Sequence, residues 1–550
     1  MVNLGVDFGS TYTMVSVFRD GKPQTVQPDN LTFHYPSIVV YDKKKQKYFY
    51  GTSARNKLGA PGIVPFRGFK MLLNSRMSAE QLRARNYDEV NTPESITERF
   101  LKYVVDNTLK KLEEDKVGTL VLGAPECWFQ SIETVDSRGV LRDICCRMKD
   151  KIEDVRIVSE PTNAAAYSVW CYEKERKKQF EGNVLVVDYG GGTLDTAVVS
   201  VRHKDNERLM IRPEMRSGRG ENLDNEIGSA GIAYQEAVVK KAIRDALDIH
   251  NAEIHYGADF DKAVKYLENI LVTDAENVEE TFEDNLTSLS ALKTEELLTF
   301  DYDDQEITIT YGQLKEVYDE TIAPILAKVL EETTEDIARN DQVYVSLVGG
   351  FCNYYLVRKQ VTDYFNHFFG WGSIGAKEKI MRLREDEREK AIAHGASLFA
   401  DDILDVCYVA QFGIGMYSYL PNGSTYKQYA ISYGQEYVPD QIYFSRDDDG
   451  EIAVMMLTKL DTFLINFDRN RDAHMPPMKP KKEFANRLNA VKCGYMVVVG
   501  FSIDARERIK VHIYEYNNDP QHRGPGEQPV ASIPLKTFRE SFENTVIHAG

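Results

Sequence analysis

Two segments of the chain carry residue types that could bind a phosphate group. Residues 186–199 read VVDYGGGTLDTAVV and residues 4–18 read LGVDFGSTYTMVSVF. In each, an apolar run ends in an aspartate (Asp188 or Asp7), and glycine and hydroxyl residues then precede a second apolar run. Glycine allows backbone N–H groups to approach a bulky anion closely, although an ordinary hairpin turn is the alternative for either segment alone. The repetition favours a nucleotide held from two sides, with a metal near the carboxylates.

The composition limits the class of protein. The 550 residues, 43% of them hydrophobic, are enough for two to four domains. A net charge of -18 argues against a nucleic-acid or anionic-membrane partner. The seven cysteines form no C-x-x-C pair, which favours a reduced environment. No apolar run approaches the ~20 residues of a membrane span, and the chain passes from Met1 directly into a strand-like run. We therefore expect a cytoplasmic protein with no nucleic-acid or membrane partner.

The elements that must position these residues alternate between strands and helices. Apolar residues at 96, 100 and 104, with Thr108 on the same face, predict a helix over 95–114, and the run at 118–125 predicts a buried strand. Another strand is predicted at 343–350, ending in Gly349 and Gly350, where open α/β sheets commonly bind ligands. Residues 222–340 are predicted to be mostly helical. From about residue 400 short β-like runs dominate, and residues 469–487 are predicted to form a long loop.

A specific family resemblance follows from several motifs in order. They are DFGSTYT, FKMLLN, SEPTNAAAY, VVDYGGGTLDTA, RGENLDN, VSLVGGFCN and AIAHGA. Over residues 1–400 the chain resembles the nucleotide-binding domain of the seventy-kilodalton heat-shock (DnaK-like) chaperone family, within the actin-like ATPase superfamily. The resemblance implies an α/β fold of two duplicated ribonuclease-H-like lobes around a cleft that hydrolyses ATP to ADP with magnesium.

The same resemblance implies roles for individual residues. Asp7 and Asp188 match the carboxylates that hold hydrated magnesium. Lys70 matches the catalytic lysine, for which an exposed surface lysine is the alternative, and Glu160 matches an acidic residue near the metal and the attacking water. The two phosphate hairpins, with the aspartate beside the second one, correspond to Gly9, Ser10, Thr11, Tyr12, Gly190, Gly191, Gly192, Thr193 and Asp195. Among these residues, Lys70, Glu160, Asp188 and Thr193 are expected to be catalytic.

The nucleoside side of the predicted site departs from the family. Asn353 stands where the family has an arginine that stacks on adenine, so Tyr354 is expected either to supply a ring or to be a core tyrosine. Glu389 stands where the family has an aspartate. The remaining nucleotide-binding residues expected from the resemblance are Gly220, Glu221, Lys265, Glu268, Gly349 and Gly350.

The predicted domain organisation is an ATPase domain at 1–400, a linker at 401–406 and a smaller β-rich domain at 407–550. The β-rich part resembles a divergent or truncated substrate-binding domain without a helical lid. We expect an ATP-switched chaperone that binds a protein or peptide client and works with a co-chaperone or exchange factor. The alternatives are an actin-like cytomotive or scaffolding ATPase, a small-molecule kinase, and a regulatory ATPase whose β domain is an independent interaction module.

Overall fold

A computed structural model gives the fold of most of the chain. It describes residues 1–29, 32–73, 77–129, 132–191, 193–204, 208–220, 231–248, 254, 258–285, 288–335, 337, 343–372, 378–381, 383–410, 412–419, 425–447, 450–457, 460–466, 476–504, 508–536 and 538–543. Within these residues, every helix is too short or too polar to cross a lipid bilayer.

The first lobe contains a central sheet, a smaller sheet and five helices. Its strands are β1 (Val2–Phe8), β2 (Tyr12–Arg19), β3 (Lys22–Thr25), β4 (Tyr35–Pro36), β5 (Val39–Asp42), β6 (Lys47–Tyr50), β7 (Ile63–Phe66), β8 (Val117–Ala124) and β9 (Ile152–Ser159). Its helices are α1 (Gly51–Arg55), α2 (Ala79–Ala84), α3 (Pro93–Leu112), α4 (Ile132–Cys146) and α5 (Glu160–Arg176), with a 3₁₀ turn at Glu126–Phe129. The predicted apolar face of α3 packs inward, since Ile96, Phe100 and Val104 are buried.

The second lobe contains the glycine-rich segment and most of the helices. Its strands are β10 (Gly182–Tyr189), β11 (Thr193–Lys204), β12 (Arg208–Gly220), β13 (Glu296–Tyr302), β14 (Gln305–Thr310), β15 (Val343–Val348) and β16 (Ile380–Met381). Its helices are α6 (Gly231–Leu247), α7 (Ala258–Thr273), α8 (Ala275–Asn285), α9 (Leu289–Thr294), α10 (Tyr311–Val317), α11 (Ala323–Thr334), α12 (Tyr355–Phe369), α13 (Glu385–Arg388) and α14 (Ala391–Ala400). A π-helical turn at Tyr318–Ile322 joins α10 to α11, and a 3₁₀ turn at Gly350–Asn353 precedes α12.

The two central sheets have the same topology. The first has the order β3-β2-β1-β8-β9, and the second has the corresponding order β12-β11-β10-β15-β16. In each, an antiparallel hairpin is followed by two parallel strands that enter beside its first strand. This repetition of strand order and direction agrees with the predicted two-lobed α/β architecture. It also places the turn of the first hairpin at the corresponding edge of each sheet.

Helices α5 and α14 cross between the lobes. α5 follows the last strand of the first sheet but packs on the second sheet, whereas α14 follows the second lobe and packs on β1, β2 and β8. The crossing is close: a Cβ atom at Gly395 would lie 1.7 Å from the backbone oxygen of Asn163. Only glycine fits such an approach of two backbones, so this contact fixes where the lobes are joined.

The chain after α14 is rich in β-strands. Its elements are β17 (Asp405–Val406), β18 (Gly413–Tyr419), β19 (Thr425–Ile431), β20 (Tyr443–Phe444), β21 (Val454–Met456), β22 (Phe463–Asn466), α15 (Lys482–Asn489), β23 (Met496–Ile503), β24 (Ile509–Asn517), β25 (Gly524–Pro525), β26 (Ala531–Pro534) and α16 (Phe538–Ser541). β18, β19 and β22 form one sheet, and the strands from β20 onward, except β22, form another. Side chains from both sheets, including Ile414 and Phe501, share one apolar cluster.

Two details of the structure go beyond or against the sequence-based expectations. The described part of residues 222–340 is mostly helical as predicted, and it also contains the hairpin of β13 and β14, whose turn residues Asp303 and Asp304 both have positive φ. The loop predicted at 469–487 is wrong in its last part, because α15 forms there and buries Phe484 and Leu488 in the apolar cluster. Residues 469–475 of that loop lie outside the described part of the chain.

Candidate functional site: a cleft between the two lobes

A cleft of about 560 Å³ lies between the two lobes and is lined by residues of both. Most of the residues predicted to bind nucleotide or metal line it, namely Asp7, Gly9, Ser10, Thr11, Tyr12, Lys70, Glu160, Asp188, Gly190, Gly191, Thr193, Lys265, Glu268, Gly349, Gly350, Tyr354 and Glu389. The fold therefore brings together side chains that are more than 380 positions apart in the chain.

The other predicted residues have different positions. Asp195 is completely buried beside the cleft, and Asn353 is buried behind its wall. Gly220 ends β12 opposite Thr193. Gly192 and Glu221 lie outside the described residues, so their predicted roles in nucleotide binding stay predictions.

The two glycine turns are held in place by hydrogen bonds from neighbouring segments. The hydroxyl of Ser37 donates to the backbone oxygen of Gly9 at 2.7 Å. The backbone N–H groups of Gly231 and Ile232, at the start of α6, donate to the backbone oxygens of Gly190 and Gly191. These bonds fix the backbone of both turns at the cleft, where successive N–H groups suit an anion, although the N–H of Gly190 already donates to the oxygen of Thr193.

Gly349 is required at its position by both conformation and space. It follows β15, which pairs in parallel with β10 so that Val348 lies opposite Asp188. Its φ is +84°, and a Cβ atom there would lie 2.7 Å from Oδ1 of Asp188. Any other residue would be strained and would collide with that carboxylate, so Gly349 brings the end of β15 close to Asp188.

Lys70 and Glu160 form a buried ion pair at the floor of the cleft. The Nζ atom of Lys70 lies 2.5 Å from Oε1 of Glu160, and the two side chains are 3% and 5% exposed. Burial by itself would lower the pKa of Lys70, but the carboxylates of Glu160 and Asp7 outweigh burial and raise it. Lys70 is therefore a permanent positive charge inside the cleft, and the alternative of an exposed surface lysine is excluded by its burial.

The carboxylates around Lys70 outnumber the cations. Burial, with repulsion from Glu160, raises the pKa of Asp7 to about 7. Burial and the neighbouring carboxylates raise the pKa of Asp188 and of Asp195 well above the usual value. Oδ1 of Asp195 accepts a hydrogen bond from the backbone N–H of Glu126, and its Oδ2 has no hydrogen-bond partner among the described residues. Such a cluster favours the binding of an additional positive charge.

Asp7 and Asp188 fit a hydrated magnesium ion. Both end the first strand of a hairpin, both face the cleft, and their hard oxygen atoms are the donors that Mg²⁺ prefers. In the described part of the chain, no three acidic, histidine or cysteine side chains are grouped closely enough to bind a metal by themselves. Mg²⁺ is usually bound through one or two carboxylates and keeps several water molecules.

The 3₁₀ turn after Gly349 carries Asn353, which stands where the resembled family has an arginine. Oδ1 of Asn353 accepts a 2.8 Å hydrogen bond from Nη1 of Arg388, on α13. The backbone oxygen of Asn353 accepts another from Nε of Arg358. Tyr354 is a core tyrosine whose ring also forms part of the cleft wall, since it is 3% exposed and its hydroxyl lies 2.7 Å from that of Tyr234.

The opposite wall contains residues that the sequence did not reveal. Arg55 of α1 and His34 line the cleft across from Glu268 of α7. The ring of His34 lies 4.0 Å from that of Tyr12, and the Arg55 guanidinium contacts the Tyr12 hydroxyl at 3.5 Å. Burial raises the pKa of Glu268, and Arg55 opposes this shift. Neither Arg55 nor His34 lies in a motif, and only their position in the fold reveals them.

Comparison with known proteins gives one family. A family model described as Hsp70 protein matches residues 65–404, which is more than half of the chain. The matched range contains Lys70, Glu160 and Asp188 and begins after the first glycine turn.

Curated relatives carry the same name. Heat shock 70 kDa proteins from Neurospora crassa and Ajellomyces capsulatus are each 23% identical to this chain, over 421 and 418 residues. The alignments cover 72% of this chain but 57% and 53% of the two relatives. A heat shock 70 kDa protein from Emericella nidulans is 22% identical over 416 residues, covering 72% of this chain and 58% of the relative. The chain thus spans little more than half the length of the curated relatives it matches.

Proposed function

The chain belongs to the Hsp70 family, and on that premise we propose that it binds ATP in the cleft between its lobes and hydrolyses it with magnesium. The observation that carries this proposal is the position of Lys70. Its ammonium pairs with Glu160 and interacts with Asp7 inside the cleft, between two glycine turns. Phosphoryl transfer depends mainly on positioning and on electrostatic stabilisation, and these are the properties that this set of residues supplies.

Each group in the cleft has a distinct proposed role. Backbone N–H groups of the turn at 9–12 and of Gly191 bind phosphate oxygens, since the N–H of Gly190 already donates to the oxygen of Thr193. Lys70 stabilises the charge that develops on the γ-phosphoryl group as water attacks phosphorus and the bond to the bridging oxygen breaks. Glu160 holds the Lys70 ammonium in that position, and the Thr193 hydroxyl donates a hydrogen bond to a phosphate oxygen or to the water.

Asp7 and Asp188 would hold magnesium in this proposal. The ion, when bound, neutralises phosphate charge during transfer. The bound ion would also reduce the repulsion between the two carboxylates. Because it would offset negative charge on both the protein and the phosphates, we expect metal and nucleotide to bind together. Asp195 remains behind them, completely buried, and does not line the cleft.

The nucleoside is proposed to lie between α7 and the turn at Gly350–Asn353. Lys265 and Glu268 line one side, and Tyr354 and Glu389 line the other. Asn353 is neutral and offers no cation to the base, and its side chain is buried and accepts a hydrogen bond from Arg388. Base recognition in this chain therefore rests on Tyr354 and the α7 side chains rather than on an arginine at position 353.

We further propose a chaperone-like switch that links the cleft to the β-rich region. The linker segment Asp405–Val406 pairs in parallel with β12 of the second lobe as an added strand. The Cys407 N–H continues the pairing by donating to the oxygen of Ile211. Nucleotide-dependent formation and release of this pairing would control how the β-rich region, proposed as a separate domain at 407–550, binds a protein or peptide client.

Isothermal titration calorimetry with ATP and with ADP, with and without magnesium, tests the first part of the proposal. We expect both nucleotides to bind and both to bind more tightly with magnesium. Lys110→Ala, a change at an exposed lysine of α3, provides a control that should bind as the parent does. If neither nucleotide binds to the folded protein in the presence of magnesium, the assignment of the cleft as an ATP site is wrong.

A further inference from the structure

A cluster of lysines stands on the small sheet of the first lobe, away from the glycine turns. The hairpin of β5 and β6 turns through residues 43–46. Lys43, Lys44, Lys45 and Lys47 are all exposed there, and Lys57 is half-buried next to the hairpin. We refer to these five residues as the lysine surface.

The turn that carries the lysine surface is well fixed. Oδ1 of the buried Asp42 accepts hydrogen bonds of 3.0 Å from the backbone N–H groups of both Lys44 and Lys45. Nε2 of Gln46 donates to the oxygen of Lys43 at 2.9 Å, and the hydroxyl of Tyr41 donates to Oε1 of Gln46. The ammonium groups therefore start from a rigid backbone, which lowers the entropy lost when they order against a partner.

Three of the ammonium groups converge on one aromatic ring. The Nζ atoms of Lys45, Lys47 and Lys57 lie 6.0, 5.7 and 4.3 Å from the centroid of Phe49. A cation over an aromatic face is attracted by the negative face of the ring. The ring thus holds like charges near one another against their mutual repulsion.

Few acidic residues near the lysine surface in the sequence balance its positive charge. Residues 39–66 contain six lysines and arginines and a single acidic residue, in a chain whose net charge is -18. Within the described part of the chain, none of the five lysines forms an ion pair. A positive patch that is both concentrated and uncompensated attracts a negatively charged partner and lowers its own electrostatic energy by binding one.

We propose that the lysine surface binds a short run of aspartate or glutamate residues in a partner protein. A long polyanion is less suitable, because its charge would extend beyond the patch onto a surface that is negative overall. Recognition of single-stranded nucleic acid also relies on exposed aromatic rings that stack on bases, whereas the ring of Phe49 is covered by lysine ammonium groups. Lysines act as mobile point charges that suit separate carboxylates.

The test uses a fluorescein-labelled polyglutamate peptide, a neutral polyglutamine peptide of the same length and a labelled single-stranded oligonucleotide, each titrated against the full chain by fluorescence anisotropy. The K43Q/K45Q/K47Q variant removes three charges from the lysine surface. A matched control, K110Q/K116Q/K536Q, removes three exposed lysines elsewhere. Thermal unfolding of both variants shows whether they are folded as the parent is, and neither set of changes touches the cleft.

We expect the polyglutamate peptide to bind the parent and the control, and to bind the K43Q/K45Q/K47Q variant at least about tenfold more weakly. Binding to the parent should also weaken as ionic strength rises from about 0.03 M to 0.3 M, since salt screens exposed charges. Three results would overturn the proposal: no binding to the parent at low salt, equal weakening in the control variant, or tighter binding of the oligonucleotide than of the peptide. Nucleotide titrations are independent of all three, so this proposal and the ATP site succeed or fail separately.

Discussion

The Nζ atom of Lys70 and the Oε1 atom of Glu160 are in hydrogen-bond contact in a place that water hardly reaches. Lys70 follows β7 in the first lobe, while Glu160 begins the helix that packs on the second sheet. The ion pair therefore lies where the two lobes meet. Asp7 is the next carboxylate that acts on the Lys70 charge, so the lysine balances a group of acids rather than a single partner.

Replacement of Lys70 by alanine should reduce hydrolysis by about 10²- to 10³-fold, the usual effect of losing one electrostatic group that acts in the transition state. Nucleotide binding should largely remain, because the glycine turns are intact. Single-turnover hydrolysis at saturating enzyme measures the chemical step. An unchanged rate would show that Lys70 has no part in the reaction.

The same substitution leaves Glu160 as a buried charge without its cation, which is destabilising. A second variant, Lys70→Ala with Glu160→Gln, removes both charges and serves as a control for folding. If the double variant recovers the thermal stability of the parent but remains inactive, the loss of activity comes from chemistry and not from unfolding.

Asp7→Asn should weaken magnesium-dependent nucleotide binding, because a neutral amide binds a hydrated dication less well than a carboxylate does. Titration of Mg²⁺ at fixed ADP measures the effect, and Asp188→Asn should act in the same direction. Binding of nucleotide without magnesium should change little. Equal magnesium dependence in both variants and the parent would exclude these two aspartates as the metal site.

The metal-free protein should become less stable as the pH rises from about 4 to about 7. Burial, with repulsion from Glu160, raises the pKa of Asp7 from 3.8 to about 7, so the folded state retains a proton that the unfolded state has released. Stability falls wherever the folded state binds more protons than the unfolded state. One pKa unit corresponds to about 1.4 kcal/mol, and the Asp7 contribution is thus at most a few kcal/mol.

Thermal unfolding in a chelator at pH 6 and pH 8 measures this dependence. The first-lobe transition should occur at a higher temperature at pH 6, and Asp7→Asn should reduce the difference because an amide does not titrate. Added magnesium and ADP should stabilise the parent more at pH 8 than at pH 6. An identical pH dependence in the parent and in Asp7→Asn would assign the effect to another group.

Glu436→Gln should increase the protease sensitivity of the linker. Oε1 of Glu436 lies 3.1 Å from Nη2 of Arg202 and 2.8 Å from Nε of Arg212, and both arginines are on the sheet that the linker joins. These groups are partly exposed, and such pairs contribute about 0.2–1 kcal/mol each, so loss of both should make cleavage near 401–407 about two- to thirtyfold faster.

The nucleotide dependence of that cleavage tests the proposed switch. ATP should protect the linker relative to ADP if the pairing of Asp405–Val406 with β12 responds to the cleft. A shift from 1:99 to 99:1 would require about 5.5 kcal/mol of differential binding, and a partial shift requires less. Equal cleavage in the apo, ADP and ATP states of a protein that binds both nucleotides would favour an independent β module.

Local chemistry made much of the cleft predictable. An aspartate at the end of a strand followed by glycine is a signal contained in a few residues, and both Asp7 and Asp188 face the cleft as expected. The hairpin of β13 and β14 also had a local signal, since consecutive aspartates favour a turn in which both residues have positive φ. That signal was outweighed by the helical periodicity of the surrounding residues.

The parts of the site that were not predictable depend on long-range contacts. Arg55 reaches the cleft only because α1 is placed across from α7, and nothing in its neighbouring sequence indicates this. Arg388 donates a hydrogen bond to Asn353 across 35 positions, and no local pattern in the sequence predicts this pairing. α15 was obscured by the prolines and lysines that precede it, although its apolar residues Phe484 and Leu488 have helical spacing.

Helix α14 connects the cleft directly to the linker. It starts two residues after Glu389, which lines the cleft, and it ends at Ala400, immediately before the segment at 401–406. Its ten residues form a rigid rod about 15 Å long, and Gly395 is in close contact with α5 near its middle. All ten of its residues are buried, and it packs on β1, β2 and β8 as well as on α5, so we expect a displacement at its cleft end to be transmitted along the helix to the linker.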